Sequence, residues 1–156
     1  TIKVNSPFFK VFFNIKDLPY IAVLDEDNHF YGILTHSRML DMLSDAWDVK
    51  NGSYVLTVLS DNTRGNLIKM SKIVSKHTNM SSVMTLDAAA GELEGNFVRR
   101  TLFTLPAGVS DITMRTIVDK LQRKGFVVSE IEDLQAGMTI MSDENPGVFI
   151  EHPVKD

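Results

Sequence analysis

The chain has 156 residues, of which 44% are hydrophobic and 23% charged, and it contains no cysteine. The formal net charge of −4 leaves no basic stripe to neutralise phosphates, so we expect no nucleic-acid partner. The absence of cysteine excludes disulfides and thiolate metal sites and fits a cytoplasmic location. No apolar run approaches the roughly 20 residues of a membrane span, so we expect no membrane partner.

Residues 1–48 have the pattern of a small α/β unit. A short strand at 1–4 precedes a predicted helix whose apolar side chains we expect mostly to face inward: Phe8, Phe9, Phe12, Phe13 and Ile15. Strands at 20–24 and 31–34, joined by the acidic turn 25–28, predict a hairpin. Apolar residues at 39, 40, 42, 43 and 46 fit one face of a second helix, for which we expect Ser37 to be the cap. Because the chain begins at Thr1 without a signal-like segment, we expect it to start inside a longer gene product.

A polar stretch at 48–53 that contains Asn-Gly predicts a linker to a second unit, residues 53–133. The pattern there is strand, helix, strand, strand, helix, strand. This βαββαβ order predicts a ferredoxin-like sandwich within an α+β chain. We expect Ser110 to cap the second of these helices and Gly125 to end it. Residues 134–156 predict an added C-terminal hairpin with Pro146-Gly147 in its turn.

The stretch LPYIAVLDEDNHFYGILTHSRMLDML resembles the second half of a CBS motif, with Pro19, Asp25, Gly32 and Thr35 in the expected places. The resemblance covers about the first third of the chain. It implies that this part, paired with another copy, binds an adenine nucleotide such as AMP, ATP or cyclic di-AMP. The family has an acidic residue where Arg38 stands here, and an arginine, which only donates hydrogen bonds, suits phosphate better than ribose.

The candidate nucleotide-binding residues that this resemblance implies are Pro19, Tyr20, Ile21, Thr35, Ser37 and Arg38. A second interpretation remains open for the corner that begins at Thr35. It is a helix cap beside a solvated arginine, and Tyr20 is an ordinary strand residue.

The stretch LSDNTRGNLIKMSKIV resembles the first loop and helix of an ACT domain, the βαββαβ regulatory module of amino-acid metabolism. Asp61, Gly65 and Leu67 match the family pattern, whereas Arg64 stands where proline is common. The resemblance implies that the loop takes an amino acid or another small effector between paired domains. Its candidate residues are Asp61, Asn62, Arg64, Gly65 and Asn66. The alternative is a plain strand-to-helix connection.

The sequence contains no Gly-rich phosphate loop, no G-x-S-x-G and no H-E-x-x-H. The acidic turn lacks the ligand spacing of a calcium loop, and the histidines lack metal-ligand spacing. We therefore expect neither an enzyme, nor a metal site, nor a cofactor. A small enzyme of other chemistry would need a polar pocket with strongly shifted pKa values.

The order of the two motifs in the chain resembles that of bacterial CBS–ACT regulatory proteins of the acetoin-utilisation accessory and cyclic di-AMP receptor types. This resemblance implies a non-catalytic protein that senses a small-molecule effector, forms a homodimer and acts on a protein partner of unknown identity. The alternative is a ligand-free dimerisation or protein-interaction module.

Overall fold

The computed structural model describes residues 1–88, 92–141 and 152–153. It contains helices and mixed sheets, which confirms the α+β prediction. The chain divides into two compact units, Thr1–Ala46 and Trp47–Asp156. No helix in the described part of the chain is both long and apolar enough to cross a membrane.

The first unit is a three-stranded sheet with two helices. Its strands are β1 (Ile2–Lys3), β2 (Tyr20–Leu24) and β3 (Phe30–Thr35), and its helices are α1 (Phe8–Ile15) and α2 (His36–Ala46). Strand β2 lies in the middle, parallel to β1 and antiparallel to β3, so the predicted hairpin is confirmed. The buried core residues are Ile2, Val11, Ile15, Ile21 and Met39.

The orientation of the Phe-rich helix differs from the prediction. Val11 and Ile15, one turn apart, are the buried residues of α1, and they define a narrow inward stripe. The four phenylalanines flank this stripe and are exposed, Phe9 and Phe13 by 71% and 64%. Ile15 is buried as expected, but the inward placement of the phenylalanines is wrong. A run of aromatic residues on more than one side of a helix does not itself specify which side faces the core.

The described residues of the second unit form a six-stranded antiparallel sheet with helices α3 (Asn66–Ser75) and α4 (Asp111–Arg123). Its strands are β4 (Tyr54–Ser60), β5 (Ser82–Asp87), β6 (Arg99–Thr104), β7 (Val127–Asp133), β8 (Met138–Met141) and β9 (His152–Pro153). They lie in the order β5-β6-β4-β7-β8-β9. The first four strands in sequence thus have the order 2-3-1-4 of a ferredoxin-like βαββαβ unit. Strands β8 and β9 extend the sheet as a hairpin, whereas the expected turn at Pro146-Gly147 lies outside the described residues.

The core of the second unit lies between the helices and one face of the sheet. Fully buried side chains from β4, β6 and β7 pack there against both helices: Leu56, Val58, Met70, Val74, Phe103, Met114, Ile117, Leu121, Val128 and Ile131. Both predicted ends of α4 are confirmed. The Ser110 hydroxyl accepts a hydrogen bond from the Thr113 backbone N–H at 3.2 Å, and Gly125 follows the last turn with a φ of +91°.

The predicted linker is partly built into the second unit. The Gly52 N–H donates to the Asp48 carbonyl at 2.8 Å, and the Ser53 N–H donates to the Leu105 carbonyl at 2.9 Å. The Gln135 side chain donates to the Gly52 carbonyl. A Cβ atom at Gly52 would lie 2.7 Å from the Asp48 carbonyl oxygen. The polar composition therefore marks a turn that packs against the sheet, and the prediction of a linker is wrong for residues 52 and 53.

Candidate functional site

The loop after β4 is organised by one carboxylate. Oδ1 of Asp61 accepts hydrogen bonds from the Thr63 backbone N–H and from the Asn66 side-chain amide, both at 2.8 Å. Hydrogen bonds from the side chain and backbone of Thr63, and then from Asn66, lower the pKa of Asp61 below its ordinary 3.8. The carboxylate thus stays ionised and folds the loop back on itself.

The loop leads into α3 through a left-handed residue. Gly65 has a φ of +88° and stands at the N-cap position of α3, where it offers no side chain to cap the helix. Backbone N–H groups of a first helical turn have no partner within the helix, and they carry the positive end of the helix dipole. This loop therefore presents donors at the start of α3.

A cavity of about 410 Å³ lies beside this loop. We call it the loop cavity. Its wall on the loop and helix side consists of residues 62–68 and Met70, and its wall on the sheet side consists of Ser60, Thr85, Arg99 and Thr101. The side chains on the sheet side come from three neighbouring strands, since Ser60 pairs with Arg99 and Thr85 pairs with Thr101 in the register of the sheet.

The loop cavity is rich in hydrogen-bond donors. Two arginines, Arg64 and Arg99, line it, and none of the described residues that line it is acidic. Nε of Arg99 donates to Asp87 at 2.8 Å, which leaves the other guanidinium donors for further contacts. Arg64 is exposed and forms no ion pair with a described residue. Guanidinium groups and helix N-terminal N–H groups are suited to carboxylate and phosphate oxygens.

Four of the five loop residues expected from the sequence line this cavity: Asn62, Arg64, Gly65 and Asn66. Asp61 lines a smaller cavity of about 280 Å³ together with Lys69 and Lys124. Thr85, Arg99 and Thr101 were not among the candidates expected from the sequence. Alternation along β6 puts Arg99 and Arg100 on opposite faces of the sheet, but placing Arg99 beside Ser60 requires the strand register.

The predicted nucleotide corner of the first unit has a different cap from the one expected. Oγ1 of Thr35 accepts a hydrogen bond from the Arg38 backbone N–H at 3.2 Å. Helix α2 begins at His36, so Ser37 lies inside its first turn and the prediction of Ser37 as the cap is wrong. Thr35 pairs with Tyr20 in the β2–β3 register. Arg38 is exposed and forms no ion pair with a described residue.

The other candidate nucleotide residues are divided between surface and core. Pro19 and Tyr20 are exposed, whereas Ile21 is 3% exposed and packs in the core. A cavity of about 280 Å³ in this unit is lined mainly by apolar side chains of β1, α1 and α2, and none of the six candidates lines it. The structure therefore brings Tyr20, Thr35 and Arg38 together at a surface corner, outside this cavity.

The acidic turn between β2 and β3 is held by its own carboxylate. Oδ1 of Asp25 accepts hydrogen bonds from the backbone N–H groups of Asp27 and His29 at 2.9 and 2.8 Å. Potential ligand atoms of Asp25, Asp27 and His29 lie within 4.8 Å of one another. These hydrogen bonds explain why an aspartate stands at position 25: its carboxylate stabilises the turn of the hairpin.

A scan against protein-family models gives no match, and a search of curated proteins finds no significant relative.

Proposed function

We propose that the chain is a non-catalytic regulatory protein whose second unit binds a small effector with a carboxylate group, such as an amino acid, in the loop cavity. The observation that carries this proposal is the convergence of Arg64, Arg99 and the start of α3 on one donor-rich cavity. Its volume of about 410 Å³ is in the range of small-molecule sites. The resemblance of the loop to that of an ACT domain supports the same assignment.

The second unit would act as a homodimer. Strand β5 is the outer strand on one side of the sheet, and its Val83 and Leu86 side chains are 41% and 46% exposed. An outer strand with unpaired backbone groups and apolar side chains favours pairing with a second chain. Thr85 of the same strand lines the loop cavity, so a partner strand would border the effector.

The first unit would bind an adenine nucleotide, cyclic di-AMP included, at the corner of Thr35 and Arg38. Support comes from the resemblance to a CBS motif and from the exposed Arg38 guanidinium at the start of α2. A nucleotide that bridges two copies would bias their arrangement by no more than its difference in affinity for the two states.

A ligand-free interaction module remains a second candidate, because the first unit exposes many large apolar side chains. Phe9, Phe13, Phe30 and Tyr31 are each more than 60% exposed. Exposed apolar surface of this kind is typical of protein–protein contacts.

The experiment is a thermal-shift screen with AMP, ADP, ATP, cyclic di-AMP and the common amino acids on the wild type, Arg64→Ala and Arg38→Ala. A ligand at a hundredfold excess over its Kd stabilises the folded state by about 2.7 kcal/mol. We expect an amino-acid shift that is lost in Arg64→Ala and kept in Arg38→Ala, and the reverse for a nucleotide. A flat screen together with a stable dimer would support the interaction module.

A further inference from the structure

A second cavity, of about 400 Å³, lies on the face of the sheet opposite the loop cavity. Leu59 and Arg100 line it, and these two residues face each other in the β4–β6 register. Their neighbours Ser60 and Arg99 line the loop cavity. Because successive side chains of a strand point to opposite faces, the two cavities lie back to back across the same two strands. We call the second one the back-face cavity.

The back-face cavity is covered by the segment before β6. Glu92, Leu93, Glu94 and Phe97 line it from this segment, and the sheet contributes Leu59, Arg100, Val127 and Ser129. Nη1 of Arg100 donates to Oε1 of Glu92 at 2.7 Å. This ion pair joins the covering segment to the sheet, with 26% of the Arg100 side chain exposed.

The charges of this cavity favour a cation. The Arg100–Glu92 pair is neutral as a unit, so Glu94 leaves one net negative charge among the described residues that line the cavity. No described residue forms an ion pair with Glu94 or donates a hydrogen bond to its side chain. An anionic ligand would meet this carboxylate and would have to compete with Glu92 for Arg100.

The remaining lining groups favour an apolar body. Leu59, Leu93, Phe97 and Val127 supply aliphatic and aromatic surface, which gains free energy by covering apolar groups of a ligand. The face of an aromatic ring such as that of Phe97 also attracts an ammonium group. The combination is suited to a molecule that carries one positive charge on a short apolar skeleton.

We propose that the back-face cavity binds a small amphipathic amine, whose ammonium group faces Glu94 and whose apolar part packs on Leu59, Phe97 and Val127. The proposal is independent of the effector assigned to the loop cavity, because different side chains line the two sites.

The test is an NMR titration of the ¹⁵N-labelled chain with 2-phenylethylamine and with 3-phenylpropionate, which has a similar apolar part and the opposite charge. We expect saturable shifts of the amides of Leu93, Phe97 and Val127 with the amine, at least about tenfold tighter than with the acid. Equal affinities for the two probes, no saturation with the amine, or shifts confined to other amides would overturn the proposal.

Variants at Glu94 measure the contribution of its charge to amine binding separately from that of the apolar surface. Glu94→Gln should weaken amine binding about three- to fivefold and Glu94→Lys about tenfold or more, the range of one partly exposed ion pair. Glu26→Gln, the same change in an exposed turn of the first unit, is the matched control and should leave the affinity unchanged. Because Glu94 is exposed, both variants should fold, and an unchanged affinity in Glu94→Lys would contradict the proposal.

Discussion

The role of Asp61 is decided by its partners. Its carboxylate accepts hydrogen bonds inside the loop, so it shapes the site while Arg64 and Arg99 face the cavity. The sequence placed Asp61 among the candidates, but an Asp at the start of a turn has the same local pattern whether it contacts a ligand or the backbone of its own loop. Only the positions of Thr63 and Asn66 distinguish the two roles.

The pH dependence of the loop follows from the lowered pKa of Asp61. Because the folded pKa lies below the ordinary 3.8, the stability that Asp61 contributes is fully present above about pH 4 and is lost as the pH falls through the folded value. We expect Asp61→Asn to be less stable than the wild type at pH 7, with a difference that shrinks in acid. Urea unfolding at several pH values measures it. Asp41→Asn, an exposed aspartate of α2, is the control; a difference for Asp61→Asn that grew below pH 4 would contradict this role.

A glycine is required at position 65 because of the backbone conformation there, and not because a side chain would lack room. A Cβ atom there would meet nothing within 4 Å, but the φ of +88° is one that L-residues rarely adopt. We expect Gly65→Ala to destabilise the chain by about 1–2 kcal/mol. Gly32→Ala, where there is also free space and φ lies outside the left-handed region, should be neutral or slightly stabilising. Equal unfolding free energies for the two variants in urea would show that the loop adopts another conformation.

At the scale of elements, hairpins and helices were predictable wherever local chemistry and packing agree. The hairpin of residues 20–34, with its acidic turn, and the two ends of α4 are such cases. The prediction failed where an interaction distant in sequence decides. Gly52 and Ser53 look like a linker, yet Leu105 and Gln135 supply their hydrogen-bond partners. The phenylalanines of α1 look like core residues, yet Val11 and Ile15 take the inward stripe.

The cap of α4 gives a direct test at this scale. Ser110→Ala removes the acceptor of the Thr113 N–H, so we expect a loss of about 0.5–2 kcal/mol in the free energy of unfolding. The control is Ser75→Ala at the end of α3, where the hydroxyl donates to the Lys72 carbonyl; alanine is a good helix former there, so the change should be small. Thermal unfolding by circular dichroism compares the two, and a larger loss for Ser75→Ala would contradict the cap assignment.

At the scale of the whole molecule, the proposed dimer can be tested at the outer strand β5. Val83 on this strand is 41% exposed, and a charge on an outer strand disfavours pairing with another chain. We expect Val83→Lys to raise the dimer dissociation constant at least about tenfold, measured by analytical ultracentrifugation. Ile112→Lys on α4, at a side chain that is 77% exposed, should leave association unchanged. If both variants dimerise like the wild type, the dimer does not use β5.

The loop side of the candidate site is local in sequence and was predictable, whereas the sheet side depends on residues distant in sequence and was not. The loop after β4 was predicted from the resemblance to an ACT domain, whose pattern Asp61 and Gly65 match. The sheet side of the cavity was not found, because Thr85, Arg99 and Thr101 converge with Ser60 only through the β5-β6-β4 order and its register. A pattern along one strand shows which face a residue occupies, but not its neighbours on the adjacent strands.

Occupation of the loop cavity is best tested by an NMR titration of the labelled chain with the amino acid that gives the largest thermal shift, on the wild type and Arg64→Ala. We expect saturable shifts of the amides of residues 62–68 and of Arg99 in the wild type. We expect an affinity about tenfold or more weaker in Arg64→Ala, because one charge-assisted contact of about 1.5–3 kcal/mol is lost. Saturable binding that leaves these amides unshifted, or that is equally tight in Arg64→Ala, would contradict the assignment of the loop cavity as the effector site.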